Sequence, residues 1–117
     1  MEFMNKIELR GVVGRADVNN VGGRNVCNFS VVTEYSQRDR DGVPSTDVMW
    51  FNVSLWEREG QPLDLYTIEK GAWIEVSGRL RQRKYISSID GLERLSLDVI
   101  AQSATVLAKD GSMQPQH

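Results

Sequence analysis

The sequence predicts an all-β fold: a barrel of five curved strands with one short helix between the third and fourth strands. Apolar and polar residues alternate in five segments, which is the period of a half-buried strand. Turn residues separate these segments. Only residues 60–71, GQPLDLYTIEKG, show helical spacing, with Pro62 in the first turn and Gly71 at the end.

Two strands and a hairpin turn are predicted at the start of the chain. Residues 6–14, KIELRGVVG, alternate, and their two glycines indicate a bulge or a sharp bend. The turn NVGGR at 20–24 leads into a second strand at 26–35. Residues 36–46, SQRDRDGVPST, carry no sustained apolar pattern, so we predict a long polar hairpin loop there.

The third strand, residues 47–56 (DVMWFNVSLW), alternates strictly. One face is an ordinary core face: Met49, Phe51, Val53 and Leu55. The other face carries two tryptophans among smaller side chains: Val48, Trp50, Asn52, Ser54 and Trp56. Flat rings on a wet, mildly polar sheet surface suit stacking on planar ligands, of which unpaired nucleic-acid bases are the commonest. A strand buried on both faces, inside a sandwich or at a subunit contact, explains the same pattern.

The fourth and fifth strands complete the predicted barrel. Residues 72–85 form the fourth, in which an inward Gly78 lets a barrel strand bend. A turn at 89–93 precedes the fifth strand at 95–107, and residues 108–117 are expected to be a flexible polar tail. The predicted order is three strands, a short helix and two strands, and we expect the strands to pair antiparallel. This is the order of the oligonucleotide-binding barrel. Spacing alone also permits an SH3-like barrel or a small sandwich.

Composition restricts the class of function. The 117 residues fit one domain, and the net charge of −2 is not that of a general polyanion binder. No apolar run approaches the ~20 residues of a membrane span. The single cysteine, Cys27, alternates with core residues and fits a reducing cytoplasm. The single histidine, His117, lies in the tail, so we expect no enzyme, cofactor, metal or small-molecule substrate.

A run of cations follows Gly78. Arg79, Arg81 and Arg83 alternate and so share one side of the fourth strand, and the run RLRQRK, which ends in Lys84, contains no acid. Tyr85 follows directly. Cations that track a backbone, interleaved with rings that stack bases, are the two ingredients of single-strand binding. We therefore predict that these four cations contact phosphates, although a solvated face with scattered salt bridges remains an alternative.

Residues 4–107 resemble the bacterial single-stranded DNA-binding proteins. The resemblance lies in MNKIELRGVVG, NFSVVTE, WFNVSLW and KGAWIEVSGRLRQRKY, together with the turn at Asp90 and Gly91. It implies one oligonucleotide-binding domain over 4–107, usually assembled as a homotetramer. It also implies sequence-independent binding of single-stranded DNA in replication, recombination and repair.

The family's stacking positions can be carried over residue by residue. Those at the start and end of the third strand and after the arginine-rich stretch fall on Trp50, Trp56 and Tyr85. A fourth, in the loop after the second strand, falls near Gln37, which is not aromatic, and Tyr35 is the nearest ring. The resemblance therefore implies these three rings and, at the fourth position, Tyr35.

The chain departs from the family at its end. Family members typically end in a flexible linker and a short acidic tail, whereas this chain ends KDGSMQPQH, so we expect a short form without that tail. Self-association as a tetramer is expected, with the first strand around Lys6 to Val13 as the pairing edge. A dimer would favour a relative of primosomal replication protein N, which acts in replication restart. A barrel whose tryptophans form a subunit interface for protein interaction is the other alternative.

Overall fold

The computed structural model describes residues 1–60 and 63–107, so the predicted tail with His117, and Gln61 and Pro62, lie outside the described residues. Five strands close into a barrel in the order β1-β2-β3-β5-β4. A 3₁₀ helix joins β3 to β4, which confirms the predicted order of elements. The strands are β1 (Ile7–Val21), β2 (Arg24–Arg38), β3 (Pro44–Trp56), β4 (Trp73–Ile86) and β5 (Glu93–Leu107), and the helix is Leu65–Thr67.

The barrel closes through one parallel contact. β3 and β5 pair in parallel from Asn52–Asp98 to Leu55–Ala101, whereas every other pair is antiparallel. The expectation of antiparallel pairing throughout was therefore wrong for β3 and β5. The helix and β4 lie between β3 and β5 in the chain and supply the long crossover that a parallel pair requires.

β1 bends where its glycines predicted. It pairs with β4 as far as Val12 and with β2 from Val12 onward, and the register with β2 shifts between Val13 and Ala16. A second shift lies between Ser77 and the buried Gly78 in β4. A Cβ on Gly78 would lie 2.2 Å from the carbonyl oxygen of Ile100, so only glycine lets β4 approach β5 so closely.

The core fills the barrel with the inward-facing residues of all five strands. Its largest fully buried side chains are Phe29, Leu55, Ile74, Val13, Val31, Val99 and Cys27. Leu65 and Ile68 join the same cluster and close one end of the barrel. Asp64 caps the 3₁₀ helix by accepting the Tyr66 backbone N–H at 2.9 Å. The predicted helical segment is therefore correct in place but shorter than its pattern indicated.

Two hairpins continue beyond the barrel as two-stranded ribbons: the β2–β3 ribbon and the β4–β5 ribbon. β2 and β3 pair out to Arg38 and Pro44, so the predicted loop over residues 36–46 is wrong: only residues 39–43 separate the strands. Backbone pairing does not require an apolar face, and a solvated ribbon is compatible with polar side chains on both sides. Met49, predicted to face the core, is 56% exposed because it lies on this projecting ribbon.

Candidate nucleic-acid interface

The pleat of β3 sends its two tryptophans outward. Val53 and Leu55 are buried, whereas Trp50 is 60% exposed and Trp56 is half-buried. The two tryptophans are six residues apart, so their backbones are separated by roughly 20 Å along the strand. Neither ring is enclosed within the protomer, and both lie on the outer surface of the barrel.

The sheet register brings the arginines to the same surface. Asn52 of β3 pairs with Asp98 of β5, which in turn pairs with Arg81 of β4. The next outward row joins Ser54, Ile100 and Arg79 in the same way. Directly paired residues share a face of the sheet, so strands far apart in the chain form one surface. We call it the aromatic–arginine face and define it by Trp50, Trp56, Arg79, Arg81, Arg83 and Tyr85.

Trp50 lies against the backbone of β1 at the bulge. A Cβ on Gly14 would lie 2.3 Å from Cζ3 of the Trp50 ring and 2.8 Å from Oγ of Ser30. That hydroxyl accepts the backbone N–H of Arg15 at 3.1 Å, which fixes the chain just after the glycine. The missing side chain of Gly14 therefore makes the space in which the ring rests.

Trp56 has a cation on one of its faces. The guanidinium carbon of Arg24 lies 5.2 Å from the centroid of the Trp56 ring, within the range of a cation–π contact. Val26, which pairs with Trp56 across β2 and β3, is buried. A planar ligand would stack on the ring face that Arg24 leaves open, or would displace Arg24. Sequence reasoning missed Arg24, although the alternation of β2 places it on the outward side.

A shallow depression lies between the two tryptophans. Its lining is mostly polar and includes Arg15, Asn28, Asn52, Ser54, Arg81, Arg83 and Asp98. The Ser54 hydroxyl donates to Oδ1 of Asn28 at 2.9 Å and holds that amide across β2 and β3. Most of these neighbours were missed because the lining comes from all five strands and only the register brings its residues together.

Asp98 lies among the arginines in space, although the run RLRQRK itself contains no acid. Its Oδ2 atom lies 3.2 Å from Nε of Arg83 and 3.9 Å from Nη2 of Arg81. Its Oδ1 atom accepts the Ser96 hydroxyl at 3.1 Å. Within the described part of the chain, no acid lies within salt-bridge distance of Arg79.

The three remaining predicted residues do not all lie on the aromatic–arginine face. Tyr85 is 42% exposed and shares the strand face of Arg83, farther out on the β4–β5 ribbon. Lys84 alternates to the other face of that ribbon, and its Nζ lies 3.6 Å from Oε1 of Glu93. Tyr35 is 68% exposed and pairs with Asp47, on the face of the β2–β3 ribbon opposite to Trp50. Tyr85 thus joins the aromatic–arginine face, whereas Lys84 and Tyr35 do not.

Cys27 and Asp90 have shifted pKa values, each for a structural reason. Burial, with a smaller contribution from the charge of Asp17, raises the pKa of the Cys27 thiol to about 11, which confirms a core cysteine. At the β4–β5 tip, the Leu92 backbone N–H and then the Arg94 side chain hold the pKa of Asp90 below its usual value. Across residues 1–60 and 63–107 we find no cluster of three His, Cys, Asp or Glu side chains that could hold a metal. No helix in that part of the chain is long and apolar enough to cross a membrane.

Comparison with known proteins gives a consistent result. The model of the "Single-strand binding protein family" matches residues 4–107. Single-stranded DNA-binding proteins of Neisseria meningitidis serogroups A and B are each 33% identical over 106 residues, covering 89% of this chain and 60% of theirs. That of Treponema pallidum is 29% identical over 85 residues, covering 73% of this chain and 46% of its own. The chain thus spans about half to three-fifths of the length of these relatives.

Solved structures share the fold. A Plasmodium falciparum SSB in complex with ssDNA matches with a TM-score of 0.74 and 25% identity, over 92% of this chain and 96% of that one. A deletion variant of the single-stranded DNA binding protein from Thermus aquaticus matches with a TM-score of 0.73 and 23% identity, over 93% and 53%. These likenesses confirm the oligonucleotide-binding barrel that the order of elements predicted.

Proposed function

The chain belongs to the single-strand binding protein family, and on that premise we propose that it binds single-stranded DNA without regard to base sequence. Proteins of this family bind DNA and are not enzymes, in agreement with the expectation from the sequence. The observation that carries the proposal is the aromatic–arginine face. It combines two outward tryptophans on β3 with three outward arginines on β4.

The chemistry of this face suits a single strand. Every base has a π-face, so stacking on Trp50, Trp56 and Tyr85 discriminates little between bases. The outward arginines of β4 offer planar guanidinium groups that match phosphate oxygens. Paired bases of a duplex cannot stack on a flat sheet without unpairing, so the same face disfavours double-stranded DNA. The negative net charge of the chain does not oppose this, because binding depends on the local field.

Trp56 offers the sharpest test of the proposal. Replacing Trp56 by Ala should weaken binding of an oligo-dT about tenfold or more, because a stacked base is worth about 1–3 kcal/mol. The matched control is Tyr66→Ala, which removes a 69% exposed ring near the closed end of the barrel, outside the face. Affinity is measured by anisotropy of a labelled oligo-dT, with a duplex of equal length beside it. Equal affinities for wild type and Trp56→Ala, with unchanged circular dichroism, would refute the assignment.

We also propose self-association, as a homotetramer built from dimers. The support is an open backbone edge: Ile7–Gly11 of β1 pairs with β4 on one side, and β2 joins only from Val12. An unpaired strand edge can add a strand from a second copy, and a two-fold contact needs a strip that matches itself. Linked barrels would hold one DNA strand at a high effective concentration.

The cellular role proposed here is protection of single strands during replication, recombination and repair in the cytoplasm. A buried, unpaired Cys27 fits a reducing compartment. A dimer acting in replication restart, like primosomal replication protein N, predicts binding of oligo-dT with a dimeric mass. A protein-interaction barrel predicts no binding of oligo-dT at all. The exposed Trp50 is not buried within its own protomer, and binding of oligo-dT separates DNA from a protein partner as its ligand.

A further inference from the structure

Asp98 is an acid among the arginines of the aromatic–arginine face, and its carboxylate is nearly enclosed. Its side chain is only 10% exposed, whereas those of Arg81 and Arg83 are 50% and 56% exposed. A surface selected only for affinity to a polyanion would exclude an acid from its centre. The position of Asp98 therefore needs an explanation beyond charge attraction.

The contacts of Asp98 are unequal. Oδ2 is hydrogen-bonded to Nε of Arg83 at 3.2 Å, but Nη2 of Arg81 lies at 3.9 Å, beyond hydrogen-bond distance. Oδ1 accepts from Ser96 at 3.1 Å. A carboxylate removed from water must keep its partners, because an unpaired buried charge is strongly unfavourable. A bound phosphate can therefore recruit Arg81 easily but can take Arg83 only by leaving Asp98 with Ser96 and a distant cation.

We propose that Asp98 is a positioning residue that divides the arginines into two groups, an inference that rests on the proposed binding of single-stranded DNA. Arg79 and Arg81 exchange counterions for phosphates. Arg83 stays tied to Asp98 and stabilises the sheet without releasing a counterion. Asp98 also cancels about one positive charge on the face, so it limits the number of phosphates that one barrel neutralises.

The salt dependence of binding separates these roles from a merely structural one. For a single strand, the slope of log affinity against log salt depends on the number of phosphates that the protein neutralises. A variant that neutralises one phosphate more steepens the slope by about 0.7, and a variant that neutralises one fewer flattens it by the same amount. Arg79→Gln and Arg81→Gln should each flatten the slope by about 0.7. Arg83→Gln should lower the thermal midpoint and leave the slope unchanged. Asp98→Asn keeps the shape of the side chain, frees Arg83 for phosphate, and should steepen the slope by about 0.7 and tighten binding at low salt.

The experiment measures anisotropy of a labelled oligo-dT with the full chain at four or more salt concentrations. Lys70→Gln is the charge-matched control, because it removes one exposed cation at the closed end of the barrel, away from the face. Each variant is first melted to establish that it is folded. If Asp98→Asn does not fold, the comparison of Arg83→Gln with Arg79→Gln decides the matter alone.

The outcomes are distinct. A slope that flattens for Arg83→Gln as much as for Arg79→Gln, or a folded Asp98→Asn with unchanged slope and affinity, overturns the division. Arg83→Gln with the wild-type slope supports it. If the wild-type chain does not bind oligo-dT, the proposed function fails and this inference fails with it. Binding by the wild type with the wrong order of slopes refutes the role of Asp98 only.

Discussion

Gly14→Ala should weaken DNA binding although residue 14 contributes no side chain to the aromatic–arginine face. The added Cβ would lie 2.3 Å from Cζ3 and 2.9 Å from Cη2 of Trp50. An ordinary carbon–carbon contact is ~3.5 Å or longer, so the ring must move by more than about 1 Å. We expect the Trp50 ring to move, because the side chain is 60% exposed and the clashing atoms lie at its far end rather than in the backbone.

The expected magnitude follows from what the ring loses. A displaced ring keeps its area but loses its alignment with a bound base, and a full stacking contact is worth about 1–3 kcal/mol. We therefore expect Gly14→Ala to weaken oligo-dT binding by up to about tenfold. The free energy of unfolding should fall by about 1 kcal/mol: the ring moves into solvent and not into the core, but the Ser30 hydroxyl, 2.8 Å from the added Cβ, must shift against its bond to the Arg15 backbone N–H.

A double-mutant cycle tests whether the effect passes through Trp50. Affinity for a labelled oligo-dT is measured for wild type, Gly14→Ala, Trp50→Ala and the double variant, with urea unfolding of each. If Gly14→Ala acts through the Trp50 ring, it should not weaken oligo-dT binding further in a protein that already carries Trp50→Ala. The same loss on both backgrounds, or unchanged affinity in a folded Gly14→Ala, refutes the reasoning.

Three further outcomes are expected. Gly78→Ala should lower the free energy of unfolding by about 3 kcal/mol, since its Cβ meets backbone 2.2 Å away; urea unfolding checks this, and a cost under about 0.5 kcal/mol contradicts it. The Cys27 pKa rises from 9.0 to about 11 on folding, so its contribution to stability is intact below pH 9.0 and declines as pH rises toward 11. Unfolding at pH 8 and pH 10.5, compared with Cys27→Ala, measures that decline, and equal declines in both proteins argue against it. Light scattering at micromolar concentration should give a tetramer; a dimer would favour the replication-restart relative, and a monomer would defeat the proposed pairing at Ile7–Gly11.

Local pattern was sufficient for much of the candidate site. The alternation in 47–56 put Trp50 and Trp56 on the outward face because a strand has a side-chain period of two, whatever it packs against. The same rule aligned Arg79, Arg81 and Arg83. Applied to Lys84, it assigns the opposite face, but the basic run had grouped Lys84 with the arginines by charge alone. Applied to Tyr35, it assigns the face of Phe29, opposite to Trp50, but the family's fourth stacking position had grouped Tyr35 with the tryptophans.

The sequence by itself determined the order of the five strands and the short helix, and the outward direction of the tryptophans and arginines, because each depends on neighbours within a few positions; it did not determine how far the β2–β3 hairpin extends. Only the tertiary structure decided which strands lie side by side. The parallel seam between β3 and β5 placed Asp98 among the arginines, and the β1 bulge placed Gly14 beneath Trp50. Such contacts depend on register, and alternation is satisfied equally well by any register shifted by two residues.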